Sequence, residues 1–186
     1  MDVLDRANDI LVFTDVETTD LHPGEGKLLE VACLITDPQL NLLDEQGFQQ
    51  VIHYTAEDTA AMFDASPEVV QSMHAKTGLW DKLPEGMPVE QVDEALLGYI
   101  KNFAPVKRNG YVAGNSIRLD MNFLDAFLPK TSAHLHYRFV DISGVENLLY
   151  WWANFDSGKG ETPHTAMDDI RMSLKQLQAV KTFLKM

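Results

Sequence analysis

Apolar and polar positions along the chain change period several times, and the changes mark out the elements. Residues 10–14, Ile-Leu-Val-Phe-Thr, are β-branched and aromatic and short enough for a buried strand. The turn-rich stretch Asp20-Leu-His-Pro-Gly-Glu-Gly26 follows. Residues 28–35 and 47–53 predict two further strands, with Asp37-Pro38 and Asn41 marking the turn between them. Three sequential strands with short connections predict an antiparallel meander. Residues 67–77 then predict a helix with Ser66 as N-cap, Pro67 at its first position and Gly78 just past its end. In residues 88–103, Val92, Leu96 and Tyr99 fall at i, i+4 and i+7 of a second helix. Short strands at 111–113 and 139–141 alternate with helices at about 118–128 and 145–155. Residues 156–161 are a loop. The final helix starts near Thr165 and carries Ile170, Leu174, Leu177, Val180 and Leu184 along one face.

The order β-β-β-α-β-α-β-α is that of an α/β protein with a mixed sheet of five strands flanked by helices. With 186 residues and no repeat, linker or low-complexity tract, residues 1–186 are expected to form a single domain. The composition, 45% hydrophobic and 23% charged, excludes disordered and fibrous classes. No apolar run reaches the roughly 18–20 residues a bilayer span requires, so no membrane partner is expected. The N-terminal MDVLDRANDI has no apolar core and is not expected to be a signal peptide. Cys33, the only cysteine, cannot form an internal disulfide, which leads to the expectation of a reduced, cytoplasmic setting.

Charge changes the picture. Fifteen basic against twenty-eight acidic residues give a net charge of −13. Proteins that grip long nucleic acid neutralise many phosphates with Lys and Arg, so an extended polyanion track is disfavoured. The same acidity also serves solubility.

Five residues carry candidate chemistry. In Asp15-Val-Glu17, at the end of the first strand, positions i and i+2 share a face. Two adjacent carboxylates repel, and a hard divalent cation such as Mg²⁺ or Mn²⁺ relieves that repulsion. Asp120 opens the helix after Gly114-Asn-Ser116, where capping alone would also explain an acid. His164 and Asp169 flank the start of the last helix after Thr162-Pro163, although His53/Asp58 and His136/Asp141 share their spacing. Together, Asp15, Glu17, Asp120 and Asp169 are the carboxylates of a two-cation clamp for phosphodiester hydrolysis. His164, with an ordinary pKa near 6.5, is the candidate base that takes the attacking water's proton.

With these residues in place, the chain resembles the oligoribonuclease family, histidine-type 3′→5′ exonucleases with a ribonuclease H-like fold. The resemblance covers nearly the whole chain. It rests on Phe13-Thr-Asp-Val-Glu-Thr-Thr-Asp-Leu21, Met73-His-Ala-Lys-Thr-Gly-Leu79, Gly114-Asn-Ser-Ile-Arg-Leu-Asp120, His136-Tyr-Arg-Phe-Val-Asp-Ile-Ser143 and His164-Thr-Ala-Met-Asp-Asp-Ile-Arg171. It implies two Mg²⁺ or Mn²⁺ ions per site and hydrolysis of very short RNA, dinucleotides above all, to nucleoside 5′-monophosphates. It also implies that Leu21 wedges beside the bases and that Ser116, Arg138 and Ser143 cap the 5′ phosphate. Tyr137 is implied to reach in from the partner of a homodimer. The chain departs from the family pattern at Thr18 and Asp20, where Met and Gly are usual, around Asp120 (Arg118, Leu119, Met121, Asn122), at Gly144, which replaces a Thr, and at Glu146-Asn147, where Lys-Glu is common. None of these touches the five catalytic positions.

Overall fold

Strand pairing, more than hydropathy, sets the length of the first strand. In the computed structural model, which describes residues 8–158 and 165–185, β1 (Ile10–Thr18) pairs antiparallel along its length with β2 (Leu28–Thr36). Asp15 and Glu17 are therefore strand residues. Beside β2 lies β3 (Phe48–Val51), antiparallel, and on the other flank come β4 (Gly110–Gly114) and β5 (Phe139–Asp141), both parallel. The sheet order is β3-β2-β1-β4-β5. This is the expected mixed five-stranded sheet, with the meander as one half and two parallel crossovers as the other.

Alternation sorts the sheet into two faces. Val12, Val16, Val31, Cys33, Ile35 and Val112 pack with Val92, Leu96 and Ile100 of α4 (Val89–Phe103) and with Phe123 and Leu124 of α5 (Arg118–Phe127). On the opposite face, Phe13, Ala32, Leu34 and Ala113 meet Ile142 of α7 (Ile142–Ala153) and Ala166, Ile170 and Leu174 of α8 (Ala166–Phe183). Each large aliphatic side chain buried in this way contributes about 1.5–3 kcal/mol. The second face matters for function, because Asp15 and Glu17 continue the row begun by Phe13. The docking that buries Ile170 also brings the first turn of α8 to the end of β1.

Three other helices are absent from the predicted elements. They are α1 (Ala56–Ala65), the single turn α3 (Leu79–Lys82) and α6 (Pro129–His134). Ser66 is also reassigned. Its hydroxyl donates to Met62 O and closes α1, while α2 (Glu68–Thr77) begins without a side-chain cap after Pro67. Gly78 ends α2 in the left-handed region, φ 68°, as the sequence predicts. Helix α7 starts three residues earlier than the periodicity suggests, because Asp141 caps it by accepting from Gly144 N. Among the described residues, no helix is long and apolar enough to cross a membrane.

Candidate active site

Asp15 and Glu17 project from one face of β1, and Asp169 comes from the first turn of α8, where Thr165 is the N-cap. Each of the three offers a carboxylate oxygen, and these oxygens all lie within 4.8 Å of one another. Asp120 arrives from the other side. Pairing between β1 and β4 ends at Phe13–Ala113, so the edge of β1 beyond that point is open. There Val16 N donates to Asp120 Oδ1 at 3.0 Å, which holds the Asp120 carboxylate beside the strand that carries Asp15 and Glu17. Gly114 makes this approach feasible. A Cβ there would stand 2.7 Å from Ile117 Cδ1 and 3.1 Å from Thr14 O, closer than packed atoms sit. His164 immediately precedes the N-cap Thr165 in sequence and lies outside the described residues.

The electrostatics follow from crowding acids in a poorly hydrated place. Burial, ahead of its neighbours Asp120, Glu17, Asp169 and Glu30, holds the Asp15 carboxyl well above the usual range. Burial also pushes Glu17 up to about 8, with Glu30, Asp169 and Asp120 adding to it. Asp120 rises to about 7 because burial outweighs the hydrogen bonds from its own N–H and from Val16. Asp15 and Glu17 therefore tend to keep protons at neutral pH unless a cation replaces them. Several hard oxygen donors within one small volume fit Mg²⁺ or Mn²⁺ well.

Two residues missing from the sequence-derived set stand directly behind the acids. Glu30 pairs with Glu17 across β1 and β2 on the same face, and it accepts from Gln49 Nε2 at 2.9 Å. Burial raises its carboxyl as well. A lone acid in an otherwise apolar strand, Leu-Leu-Glu-Val-Ala-Cys, was a visible signal. Its meaning came only with the register. His74 of α2 is fully buried, with Nε2 3.0 Å from Thr18 O and Nδ1 3.7 Å from Glu17 Oε2. Burial lowers its pKa below the ordinary value.

Leu21 is 68% exposed and lines a groove of about 550 Å³ with Val16, Glu17, Val69, Val70 and Met73. The groove therefore runs from an apolar floor to one of the clustered acids. On the other flank, Ser116 N donates to Ser143 Oγ at 3.1 Å, joining the loop after β4 to the start of α7. Asn115, also missing from the predicted set, organises this pair. Its Oδ1 accepts from Ser143 Oγ at 3.1 Å, while its Nδ2 donates to Ser173 Oγ at 2.9 Å and Gln176 Oε1 at 2.6 Å on α8. Arg138 and Tyr137 lead into β5 and are exposed, with the guanidinium 5.4 Å from the Tyr137 ring centroid. Tyr137 stacks on His136, which stacks on Tyr111, at centroid distances of 4.6 and 4.2 Å.

Comparisons with known proteins identify the family. A family model described as exonuclease, RNase T type, matches residues 12–177. The oligoribonuclease of Rhodococcus jostii is 37% identical over 174 residues, covering 91% of this chain and 85% of that protein. The oligoribonuclease of Mycolicibacterium paratuberculosis is 38% identical over 175 residues, covering 91% and 79%. Among solved structures, E. coli exonuclease I in complex with a 5cy-dT13 oligonucleotide superposes with a TM-score of 0.69 at 14% identity, a likeness of fold. It covers 94% of this chain, which spans only 41% of that larger one. The chain thus belongs to the exonuclease family, in its oligoribonuclease branch.

Proposed function

We propose that this hydrolase is a 3′→5′ exoribonuclease acting on very short RNA, from dinucleotides to pentanucleotides, and releasing nucleoside 5′-monophosphates. The observation that carries the reading is the meeting of Asp15, Glu17 and Asp169, with carboxylate oxygens within 4.8 Å of one another, beside a groove. In this reading Asp15, Glu17, Asp120 and Asp169 hold two divalent cations, Mg²⁺ or Mn²⁺. Bound there, the cations would make water a nucleophile at neutral pH and stabilise the leaving 3′ oxygen. His164 takes the proton of the attacking water, a task suited to an imidazole near its ordinary pKa.

Substrate length is read from the opposite flank. Leu21 separates bases in the groove, and Ser116, Ser143 and Arg138 cap a 5′ phosphate. Arg suits this role because its fork binds phosphate through two hydrogen bonds. A terminal phosphate held at a fixed distance from the acids favours a dinucleotide and opposes a strand that continues past the cap. The exposure of Tyr137, 65%, supports its reaching across to a second copy of the chain in a homodimer. Action in the cytoplasm is part of this reading, on the reduced setting expected from the lone Cys33.

The test compares hydrolysis of a 5′-phosphorylated dinucleotide and a 20-mer at equal concentrations of 3′ ends, with Mn²⁺ and with EDTA. Rapid cleavage of the dinucleotide that EDTA abolishes is the expected result. Equal rates on both substrates would replace the short-substrate reading with general 3′-end trimming. Binding without cleavage would point to an inactive nucleotide-binding relative.

A further inference from the structure

His74 sits in the last turn of α2, 0% exposed, with its ring edge-on to Trp80 at a centroid distance of 5.6 Å. The chemistry proposed above leaves it no task. A carbonyl oxygen only accepts, so the 3.0 Å contact with Thr18 O places a ring proton on Nε2. The other nitrogen, Nδ1, has no hydrogen-bond partner and faces Glu17 Oε2 at 3.7 Å. Both polar atoms of a buried ring are thus directed at two consecutive residues of β1. Those residues lie where the register with β2 shifts, Glu17 pairing with Glu30 but Thr18 with Leu28. A buried nitrogen without a partner is destabilising, and an apolar side chain of the same volume would carry no such atom. Packing therefore does not account for a histidine here.

We propose that His74 is a positioning residue for the cation-binding acids. Its Nε2–H clamps the Thr18 carbonyl and fixes the strand end at the register shift. Its unprotonated Nδ1 offers Glu17 no hydrogen bond, so the ring edge closes the space behind that carboxylate and leaves it turned toward Asp15 and Asp169. The assignment rests on reading those acids as a metal centre, and it adds a residue that touches neither substrate nor cation.

The experiment uses the whole protein stripped of metal, with Mn²⁺ affinity measured by titration calorimetry and unfolding measured without metal. The variants are His74→Leu, His74→Asn and His74→Gln. A Gln amide reaches the position of Nε2, whereas an Asn amide stops near Nδ1. His74→Leu and His74→Asn are expected to weaken Mn²⁺ binding about ten- to hundredfold, the usual effect of removing a group that orients a ligand. His74→Gln recovers most of the affinity. Metal-free His74→Leu keeps a single cooperative unfolding transition, which separates a loss of positioning from a failure to fold. Activity on a dinucleotide recovers in the variants as Mn²⁺ is raised, with KM unchanged. Wild-type Mn²⁺ affinity in either His74→Leu or His74→Asn overturns the inference, as does equal weakening in Gln and Asn. Wild-type protein that takes up no Mn²⁺ overturns the metal centre itself, and this assignment with it.

Discussion

Glu17 shows how a single side chain links folding to the chemistry of the site. Its carboxyl lies at about 8 in the folded protein against an ordinary 4.5. The folded state therefore binds a proton that the unfolded state releases between these values. The stability this proton contributes is complete below about pH 4.5 and is lost as pH rises through 8. A shift of this size corresponds to a few kcal/mol at about 1.4 kcal/mol per unit. Asp15 and Asp120 shift in the same direction. His74 opposes them, since a lowered imidazole pKa removes stability as pH falls below its ordinary 6.5. Metal-free Glu17→Gln is therefore expected to melt several degrees above wild type at pH 8.5 and at the same temperature at pH 4.5, as scanning calorimetry in EDTA would measure. Saturating Mn²⁺ should reverse the order at pH 8.5 by stabilising only the wild type. Removing the charge of a proposed ligand outright is a harsher change. Asp15→Asn and Asp169→Asn should each lower Mn²⁺-dependent dinucleotide hydrolysis by about a thousandfold or more, some 4 kcal/mol of transition-state stabilisation, while circular dichroism stays native. Residual activity within tenfold of wild type in either variant would remove that residue from the centre.

Elements that bury a stripe, as α8 does, or carry clear end signals, as α2 does at Pro67 and Gly78, were legible in the sequence, and α1 was not. Helix α8 shows Ile170, Leu174 and Val180 at helical spacing and buries all three, so it was readable from its pattern. Helix α1 buries no residue at all, so its sequence carries no stripe. Its start is signalled only by Thr55, whose Oγ1 accepts from Asp58 N at 3.1 Å. Strand β1 read as five residues because Asp15 and Glu17 look like the end of an apolar run. Pairing with β2 carries it on to Thr18. The acids themselves were legible, since alternation alone aligns Asp15 with Glu17. Glu30, His74 and Asn115 were not, because each acquires a role only through a partner distant in sequence. Asn115 is the sharpest case, as it ties the loop after β4 to α7 and α8. Asn115→Ala leaves Gln176, 2% exposed, without its amide donor and Ser143 without its acceptor. The expected cost is about 1–3 kcal/mol in urea unfolding. If Ser116 and Ser143 do cap a phosphate, KM should rise for a 5′-phosphorylated dinucleotide but not for its 5′-hydroxyl counterpart, with kcat nearly unchanged. An equal rise for both substrates would detach Asn115 from phosphate recognition and leave it a structural tie.

For the whole molecule, the net charge of −13 must be reconciled with a polyanionic substrate. Long-range attraction cannot supply affinity here, and at ordinary ionic strength the repulsive field decays within roughly 8–10 Å. In the proposed site, binding would then come from local contacts, the cations at one end and Arg138 with two serines at the other. This has a measurable consequence. For single strands the logarithm of the binding constant falls with the logarithm of salt concentration at about −0.7 per phosphate neutralised by the protein's own Lys and Arg. A 5′-phosphorylated dinucleotide, bound in Ca²⁺ to suppress turnover, should give a shallow slope of about −1 or less in magnitude. Adding nucleotides should neither steepen the slope nor tighten binding. The competing arrangement is specific enough to be tested in the same titration. Lys107, Arg108 and Arg118 share a surface cavity next to His136 and Tyr137, and a longer strand that ran over them would engage three more cations. A 20-mer whose slope is steeper by about −2, and which flattens again in Arg118→Ala, would mean that this acidic protein carries a basic track after all. The proposed preference for short RNA would then have to come from turnover rather than from binding.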